Sequence, residues 1–388
     1  MKKEIFIIFL VALIARVLYL GLGVTRQNAD DTIQWKKMAH YFAEGKGFLT
    51  EAEDLDPKRP PIYPLFLAAH FHFFGEESDI PVQITQIILS SLSCVLLYLI
   101  ASVLLSQKIG FWSGIFLALY PPVIIYSAIL QSETLFTFLL LLFLFLWTFA
   151  WGLTPIIPGV ALGILSLCRG TMLFFSIFLV VASLLFSQTR KDLQKILLMI
   201  GISLLVIAPW SWRNSKVYNM FIPIVSGGPE LLWFGTLPIE SQKKYGNSQE
   251  YLQIKDKIPT SLKESEKFYM NLALKNISQA PFSYLSLTIK KFAYFWLKPV
   301  GHELVENQFP SIGILLLLCH FTLIALVAHG LILSRSHFNA LLPIYMLITY
   351  FALFHTALVP MPRFRLPMEP LLLIFSATSL YRLIKNKT

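Results

Sequence analysis

Residues 4–23, EIFIIFLVALIARVLYLGLG, form an apolar run that is followed four residues later by NADDTIQWKKMAHYFAEGKGF, residues 28–48. The first stretch is long enough to cross a bilayer, because a transmembrane helix needs about 20 mainly apolar residues. It lacks the small-residue cleavage site of a signal peptide, so we expect it to be retained as a helix. Two adjacent carboxylates, Asp30 and Asp31, then open the polar stretch at one edge of the membrane.

The composition excludes a soluble globular protein. Of 388 residues, 56% are hydrophobic and 14% are charged, and the mean hydropathy is +0.65. Both values indicate an all-α polytopic membrane protein with about ten spans. The predicted spans are 4–23, 82–105, 109–127, 133–150, 155–168, 171–187, 194–212, 309–333, 338–357 and 366–383.

The distribution of basic residues predicts the topology. An even number of spans puts both termini on one side, and the positive-inside rule makes that side the cytoplasm. The net charge of +10 is scattered among loops, which excludes a nucleic-acid binder and favours lipid head groups and phosphates as partners. The basic residues assigned to the cytoplasmic side are Lys2, Lys3, Lys108, Arg190, Lys191, Lys195, Arg335, Arg382, Lys385 and Lys387.

Two long outer segments divide the chain. We expect a membrane module at 1–212, which includes a first outer loop at 24–81, then a periplasmic or lumenal loop at 213–308 and C-terminal spans at 309–388. Apolar spacing from Trp35 to Phe42 predicts an interfacial amphipathic helix. Other patterns predict an interfacial helix from Pro60 to Phe74, a capped helix at 261–277 and an interfacial helix at 284–297.

Acids and cations from distant parts of the chain fall on the predicted outer face. Arginine forks bind phosphate oxygens, and a carboxylate can accept a proton from an attacking hydroxyl. Transfer of a sugar from a lipid phosphate needs one base, because the phosphate leaves as a stable anion, whereas a glycosidase uses two carboxylates. The outer-face residues are Asp30, Asp31, Lys58, Arg59, Glu133, Arg169, Arg213, Arg363, Arg365 and Glu369.

Several segments together resemble membrane glycosyltransferases of the GT-C fold. The resemblance is to dolichyl-phosphate-mannose protein mannosyltransferases and bacterial aminoarabinose transferase, members of a group similar to glycosyltransferase family 39. The segments that carry it, in chain order, are DDTIQWKKMAHYFAEGKGF, KRPPIYPLFLAAHF, SETLFTFLLLLFLF, APWSWRNSKVYNMFIPIVSGGPELLWFG and RFRLPMEPLLLIFSA.

This resemblance implies an inverting transferase that moves a sugar from a polyprenyl phosphate, such as undecaprenyl phosphate, to a hydroxyl acceptor of unknown class. It implies a multi-pass protein of the bacterial inner membrane with its active site on the periplasmic side. Asp31 corresponds to the family's base, four residues before Trp35, and Asp30 is the alternate. The resemblance also implicates Arg59, Arg169 and Arg363 or Arg365 as contacts of the donor phosphate. To these we add Lys58 as a candidate for the donor phosphate and Tyr63, Glu133 and Trp35 as candidates for the substrate.

Each of these assignments has a structural alternative. Either aspartate can act as the N-cap of the helix that follows it. Lys58 and Arg59 can anchor the chain at the membrane interface, and Glu133 can cap its own helix. Arg365 and Glu369 are four residues apart and can form an ion pair on one helix face.

We predict no protein-bound metal and no required cofactor. The histidines and the three cysteines show no metal-ligand spacing. A divalent ion shared by Asp30, Asp31 and Glu133 is the open alternative. A transporter or flippase of lipid-linked sugars is the rival function, although such proteins place carboxylates near the middle of the bilayer, whereas here the acids gather at one face.

Overall fold

The protein is helical, as predicted, and no strand occurs in the residues that the structure describes. The computed structural model describes residues 1–23, 30–47, 58–76, 78–185, 190–302 and 310–385, and of Asp30, Asp31 and Tyr245 it describes the backbone alone. Short 3₁₀-helices lie at Tyr245–Asn247, Lys255–Lys257, Arg335–His337 and Pro362–Met368. The α-helices are α1 (Lys2–Gly21), α2 (Asp30–Ala43), α3 (Ile62–Phe74), α4 (Ile80–Leu104), α5 (Gln107–Leu119), α6 (Pro121–Ser127), α7 (Ser132–Ala150), α8 (Ile156–Cys168), α9 (Thr171–Leu185), α10 (Leu193–Tyr218), α11 (Gly228–Gly235), α12 (Ile239–Lys244), α13 (Gln249–Ile254), α14 (Leu262–Gln279), α15 (Pro281–Leu297), α16 (Pro310–Leu333), α17 (Phe338–Ala357) and α18 (Glu369–Lys385).

Six helical segments in the described part are long and apolar enough to cross a membrane, and the bent pair α5–α6 makes a seventh. The six are α1, α4, α7, α10, α16 and the segment Arg335–Ala357 that contains α17. The predicted spans at 155–168 and 171–187 form the shorter apolar helices α8 and α9. Integral membrane character is therefore supported, and the number of ten spans stays a prediction. The predicted boundary at 212 falls inside α10, and the division into three parts stays a prediction as well.

The bundle is organised around α4, which packs on α1, α5 and α7. Helix α7 packs in turn on α8, and α8 packs on α10. Two glycines four residues apart on α8 allow this last contact, since a Cβ on Gly159 would lie 2.7 Å from the carbonyl oxygen of Met199 and one on Gly163 would lie 2.9 Å from that of Ser203. Small residues at this spacing let two membrane helices approach closely.

The predicted span 109–127 is broken. Its two halves, α5 and α6, are bent by 55° relative to one another. The break follows from Pro121 and Pro122, which lack the N–H groups that would donate to the carbonyls of Leu117 and Ala118 in a continuous helix. The sequence pattern predicts 109–127 as one span and does not predict the bend.

Arg16 of α1 occupies the end of α5 at this bend. Its side chain is fully buried, and Nη1 donates to the carbonyl of Ala118 at 3.0 Å while Nη2 donates to that of Leu117 at 3.4 Å. Nε donates to Ser90 Oγ at 2.7 Å, and Nη2 also lies 3.6 Å from Cys94 Sγ. A cation is favourable at a helix C-terminus. Arg16 supplies a donor to the carbonyl of Ala118 and a second donor to that of Leu117, which also accepts from the N–H of Tyr120 at 3.4 Å.

The outer segments form the predicted helices. The amphipathic pattern beginning at Trp35 lies in α2, and the stretch after the two prolines forms α3. The helix predicted at 261–277 is α14, although Ser261 makes no side-chain cap bond. Helices α2 and α3 pack on one another, as do α11 and α14. The ion pair of Lys58, which precedes α3, with Glu230 of α11 connects the two helix pairs.

Candidate active site

The first turn of α2 is attached to the segment between α6 and α7. The hydroxyl of Thr32, which is buried, donates to the carbonyl of Leu130 at 3.3 Å. Asp30 and Asp31 begin this helix, and their side chains lie outside what the structure describes. Their backbone is therefore fixed close to the start of α7, and the catalytic role predicted for either aspartate stays a prediction.

Arg59 lies against the same turn of α2. Its guanidinium carbon is 4.3 Å from the centre of the Trp35 ring, and Nη2 donates to Gln34 Oε1. Gln34 and Trp35 are three and four residues after Asp31, one helical turn away. The structure thus brings Arg59, Trp35 and the start of α2 together.

Tyr63 of α3 packs against Trp35 and connects it to α4. Its ring meets Trp35 edge to face with the centroids 5.3 Å apart, and its hydroxyl donates to Gln86 Oε1 at 3.1 Å. Gln86 Nε2 donates to the carbonyl of Ile129 at 2.8 Å. Tyr63 is fully buried, so its contacts favour a supporting role, and the substrate contact predicted for it stays untested.

Glu133, in the first turn of α7, forms an ion pair with Arg169, which directly follows α8. Arg169 Nη2 donates to Glu133 Oε1 at 2.7 Å, and both side chains are largely buried. The guanidinium carbon also lies 5.2 Å from the ring centre of Phe136 and 5.6 Å from that of Phe364. Glu133 is three residues after Leu130, whose carbonyl accepts the hydrogen bond from Thr32 of α2. The surroundings of Arg59 and of Arg169 therefore meet at residues 130–133.

Arg365 is held by the protein itself. Nε donates to Glu369 Oε1 at 2.8 Å, Nη1 donates to the carbonyl of Phe295, and Nη2 donates to the carbonyl of Lys298 at 2.9 Å. With 1% of the side chain exposed, these contacts favour the ion-pair interpretation over donor binding. Arg363 is half-buried and packs its guanidinium carbon 5.4 Å from the centre of the Phe364 ring.

Lys58 joins the two long outer segments. Its Nζ lies 2.5 Å from Oε2 of Glu230, which is buried at the first turn of α11. Glu266 of α14 accepts a hydrogen bond from the backbone N–H of Gly227 at 2.6 Å. Burial raises the pKa of Glu266, and the charge of Glu230 acts in the same direction, whereas the Gly227 N–H and Lys58 oppose both effects.

Lys291 attaches the segment 213–308 to the end of α17. The apolar stretch around it was predicted to lie in the interface, but the side chain is fully buried in α15. Nζ donates to the carbonyl of Gly235 at 2.9 Å, to that of Ala357 at 2.9 Å and to that of Leu358 at 3.0 Å. Lys291 therefore links the C-terminus of α11 to that of α17, and burial lowers its pKa to about 8.

Sequence reasoning missed Glu230, Lys291 and His355 as participants in this region. The first two make contacts between residues far apart in the chain, for which no local pattern exists. His355 was interpreted as an interfacial or packing residue, and its stacking on Phe364, at 4.9 Å between ring centroids, is one of the contacts that connect it with Arg169. The aromatic stretch around it offered no separate signal.

The side chains that could bind a metal ion are described for part of the site. In the described residues, no group of three or more histidine, cysteine, aspartate or glutamate side chains is arranged to hold a metal ion. Cys94, Cys168 and Cys319 are free thiols. Because the carboxylates of Asp30 and Asp31 lie outside this description, the expectation of a metal-free site and its alternative both stay predictions.

Comparison with known sequences identifies one family. A family model described as dolichyl-phosphate-mannose-protein mannosyltransferase matches residues 58–212. This stretch includes Lys58, Arg59, Glu133 and Arg169 and begins after the two aspartates. A comparison with curated protein sequences gives no significant match.

Solved structures with the same arrangement of helices come from the oligosaccharyltransferase of Archaeoglobus fulgidus. Its apo form has a TM-score of 0.57 and 14% identity, covering 100% of this chain and 52% of that chain. The complex with Zn and sulfate has a TM-score of 0.57 and 13% identity, covering 99% and 49%. AglB from the same organism, in complex with an inhibitory peptide and a dolichol-phosphate, has a TM-score of 0.56 and 13% identity, covering 100% and 52%.

The protein spans about half the length of these oligosaccharyltransferase chains. At this level of identity the similarity shows the fold. The chain therefore has the GT-C glycosyltransferase fold that its sequence segments predicted, and over residues 58–212 it resembles dolichyl-phosphate-mannose-protein mannosyltransferases.

Proposed function

We propose that the protein is an inverting glycosyltransferase that moves a sugar from a polyprenyl phosphate to a hydroxyl acceptor on the periplasmic side of a bacterial inner membrane, with both termini in the cytoplasm. The observation that carries this proposal is the contact of Arg59 with Gln34 and Trp35, one helical turn from Asp31. It puts a guanidinium beside the start of the helix that carries the proposed base.

The chemistry assigned to these residues follows from their charges. The acceptor oxygen attacks the anomeric carbon from the side opposite the phosphate, and its proton passes to the carboxylate of Asp31. The bond between the anomeric carbon and the phosphate oxygen breaks, and its electron pair leaves with the lipid phosphate. Arg59, Arg169 and Arg363 would stabilise the charge that develops on that phosphate, an effect that is usually the largest electrostatic contribution in such sites.

The family description and the structural neighbours support this choice of donor. The family model is named for transfer from dolichyl-phosphate-mannose to protein, and one neighbour holds a dolichol-phosphate together with a peptide. We carry over the lipid-phosphate donor class and leave the acceptor as a hydroxyl on a lipid, a glycan or a protein. The Glu133–Arg169 pair, whose side chains are 4% and 14% exposed, adds a candidate phosphate contact.

The test is product analysis with purified protein and a radiolabelled polyprenyl-phosphate sugar. A transferase releases sugar-free polyprenyl phosphate in proportion to the glycosylated acceptor formed. A flippase moves the intact donor between leaflets and releases none. Transbilayer movement of donor with no release of polyprenyl phosphate, measured with a panel of lipid, glycan and peptide acceptors, would exclude the proposal in favour of the transporter.

A further inference from the structure

Several buried polar atoms beside the Glu133–Arg169 pair have no hydrogen-bond partner in the protein. They are Arg169 Nη1, Thr171 Oγ1, His355 Nε2 and Thr356 Oγ1. Buried polar groups almost always have a partner, so each exception requires an explanation. Two of these atoms belong to the turn at the start of α9 and two to the last turn of α17, so unpaired polar atoms lie on two elements that contact one another.

Ring contacts show that Arg169 and His355 belong to one neighbourhood. The guanidinium of Arg169 lies over Phe136, at 5.2 Å, and over Phe364, at 5.6 Å. The His355 ring stacks on Phe364 at 4.9 Å and on Phe351 at 5.8 Å. Phe136 and Phe351 meet at 6.2 Å. Arg169 and His355 are thus connected through Phe364 on one side and through Phe136 and Phe351 on the other.

The turn that carries Arg169 is attached directly to the helix that carries His355. The hydroxyl of Tyr350 in α17 donates to the carbonyl of Thr171. One turn further along, Phe174 of α9 and Phe354 of α17 meet with ring centroids 5.6 Å apart. Thr171 therefore lies against the final turns of α17, where His355 and Thr356 follow one another.

The chemistry of this cluster matches a phosphate. Guanidinium, imidazole and hydroxyl groups can each donate a hydrogen bond to a phosphate oxygen. Glu133 already balances part of the charge of Arg169, through the contact at 2.7 Å. A sugar phosphodiester carries one negative charge and the phosphate monoester formed after transfer carries more, so added donors beside Arg169 would stabilise the product side of the reaction.

We propose that His355 contacts the lipid phosphate directly, with Nε2 donating a hydrogen bond to a non-bridging phosphate oxygen beside Arg169. The inference rests on the proposed function. No proton is transferred in this contact, because the acceptor proton goes to Asp31 and the phosphate leaves as an anion. His355 is then a substrate-binding residue whose hydrogen bond strengthens as the bond between sugar and phosphate breaks.

A packing role makes the opposite prediction. His355 is 5% exposed and is surrounded by aromatic rings, including Phe295 at 6.0 Å. If the imidazole only fills space among these rings, phenylalanine should replace it with little effect. The variant His355→Phe therefore separates the two roles, and His355→Gln supplies an amide N–H in the region of Nε2.

The experiment measures retention of undecaprenyl phosphate by the purified full chain in nanodiscs. We expect His355→Phe to lower the affinity about 10- to 100-fold, the usual effect of losing one hydrogen bond to a charged group, and His355→Gln to recover most of the affinity. His337→Phe is the matched control, because His337 is exposed at the opposite end of α17. If His355→Phe does not fold, His355→Gln compared with His355→Met, side chains of similar size with and without an N–H, carries the same test.

The outcomes are distinct. Wild-type affinity in His355→Phe, or in His355→Met when that comparison is used, would overturn the role of His355 and leave the proposed function intact. Failure of the wild-type protein to bind undecaprenyl phosphate above the level of empty nanodiscs would overturn the proposed function and this inference with it. Selective loss in the variants without an N–H supports both.

Discussion

Arg59 places its guanidinium carbon 4.3 Å from the centre of the Trp35 ring and donates to the side chain of Gln34. A cation over an indole ring contributes roughly 0.5–2 kcal/mol, depending on how far it is desolvated. This contact holds the residues just before α3 against α2 and leaves the charge close to the residues that begin α2. Predictions about donor binding follow from it.

Reversing the charge of Arg59 should weaken donor binding more than turnover. With Arg59→Glu, we expect the KM for polyprenyl-phosphate sugar to rise by about tenfold or more, since a charged hydrogen bond contributes roughly 1.5–3 kcal/mol. Lys37→Glu makes the same charge change on an exposed part of α2 and is the control. An unchanged KM in Arg59→Glu would remove Arg59 from the donor site.

The Glu133–Arg169 pair should behave as a unit in stability. Removing one partner leaves the other charge buried, which costs about 3–5 kcal/mol, so Arg169→Met and Glu133→Gln should each lower the thermal unfolding temperature strongly. The double variant should be more stable than Arg169→Met alone. Thermal unfolding of all four proteins in detergent gives the coupling, and additive effects would show that the contact at 2.7 Å contributes little.

Arg16 should be required for the bent pair α5–α6. With Arg16→Met, the carbonyl of Ala118 loses its donor at the break, whereas that of Leu117 keeps the N–H of Tyr120. A buried unsatisfied group costs about 1–3 kcal/mol. We expect a lower unfolding temperature and faster proteolysis near residues 119–121, whereas Lys3→Met, an exposed position on the same helix, should change neither. Equal stability of Arg16→Met and wild type would contradict the role assigned to Arg16.

The pKa of Lys291 predicts a dependence of stability on pH. Burial lowers it from 10.5 to about 8, so between these values the unfolded chain binds more protons than the folded chain, and folding becomes more favourable as pH rises. The free energy of unfolding of the wild type minus that of Lys291→Met should therefore increase from pH 8 to 10.5, by up to about 1.4 kcal/mol per pH unit. Lys290→Met, at the exposed neighbouring position, serves as the control; a flat difference for Lys291→Met would show an unshifted pKa.

Local patterns were sufficient to predict several helices. The apolar spacing from Trp35 to Phe42 lies within α2, and the capping-box pattern at Ser261 and Glu264 marks the start of α14. The possible ion pair of Arg365 with Glu369 was also visible, because the two residues are one helical turn apart. Each of these features depends on residues that are close together in the chain.

Contacts between distant residues could not be predicted in the same way. The two prolines after Tyr120 are visible in the sequence, but the arginine that compensates for them is about 100 residues earlier in the chain. Lys58 and Glu230 are 172 residues apart, and Lys291 reaches carbonyls 56 and 66 residues away. Such contacts depend on how the helices pack, which periodicity and caps do not determine.

The structure brings some of the predicted site residues together, and their roles stay predictions. Arg59, Trp35, Glu133 and Arg169 do gather around the segment that ends in Glu133. Tyr63 and Arg365, by contrast, are buried with protein partners, because the sequence cannot show which polar side chains find a partner inside the bundle. The involvement of His355 depends on ring contacts among α7, α17 and the 3₁₀-helix that follows α17.

The most direct test of the account is donor binding and turnover by Asp31→Asn, with Asp30→Asn alongside it. We expect Asp31→Asn to insert into the membrane and to bind polyprenyl-phosphate sugar with wild-type affinity. It should release polyprenyl phosphate about 100- to 10,000-fold more slowly, the usual contribution of general-base catalysis. Asp30→Asn should retain most of its activity. Turnover close to that of the wild type in Asp31→Asn would contradict the central claim that this carboxylate accepts the proton beside the guanidinium groups that hold the lipid phosphate.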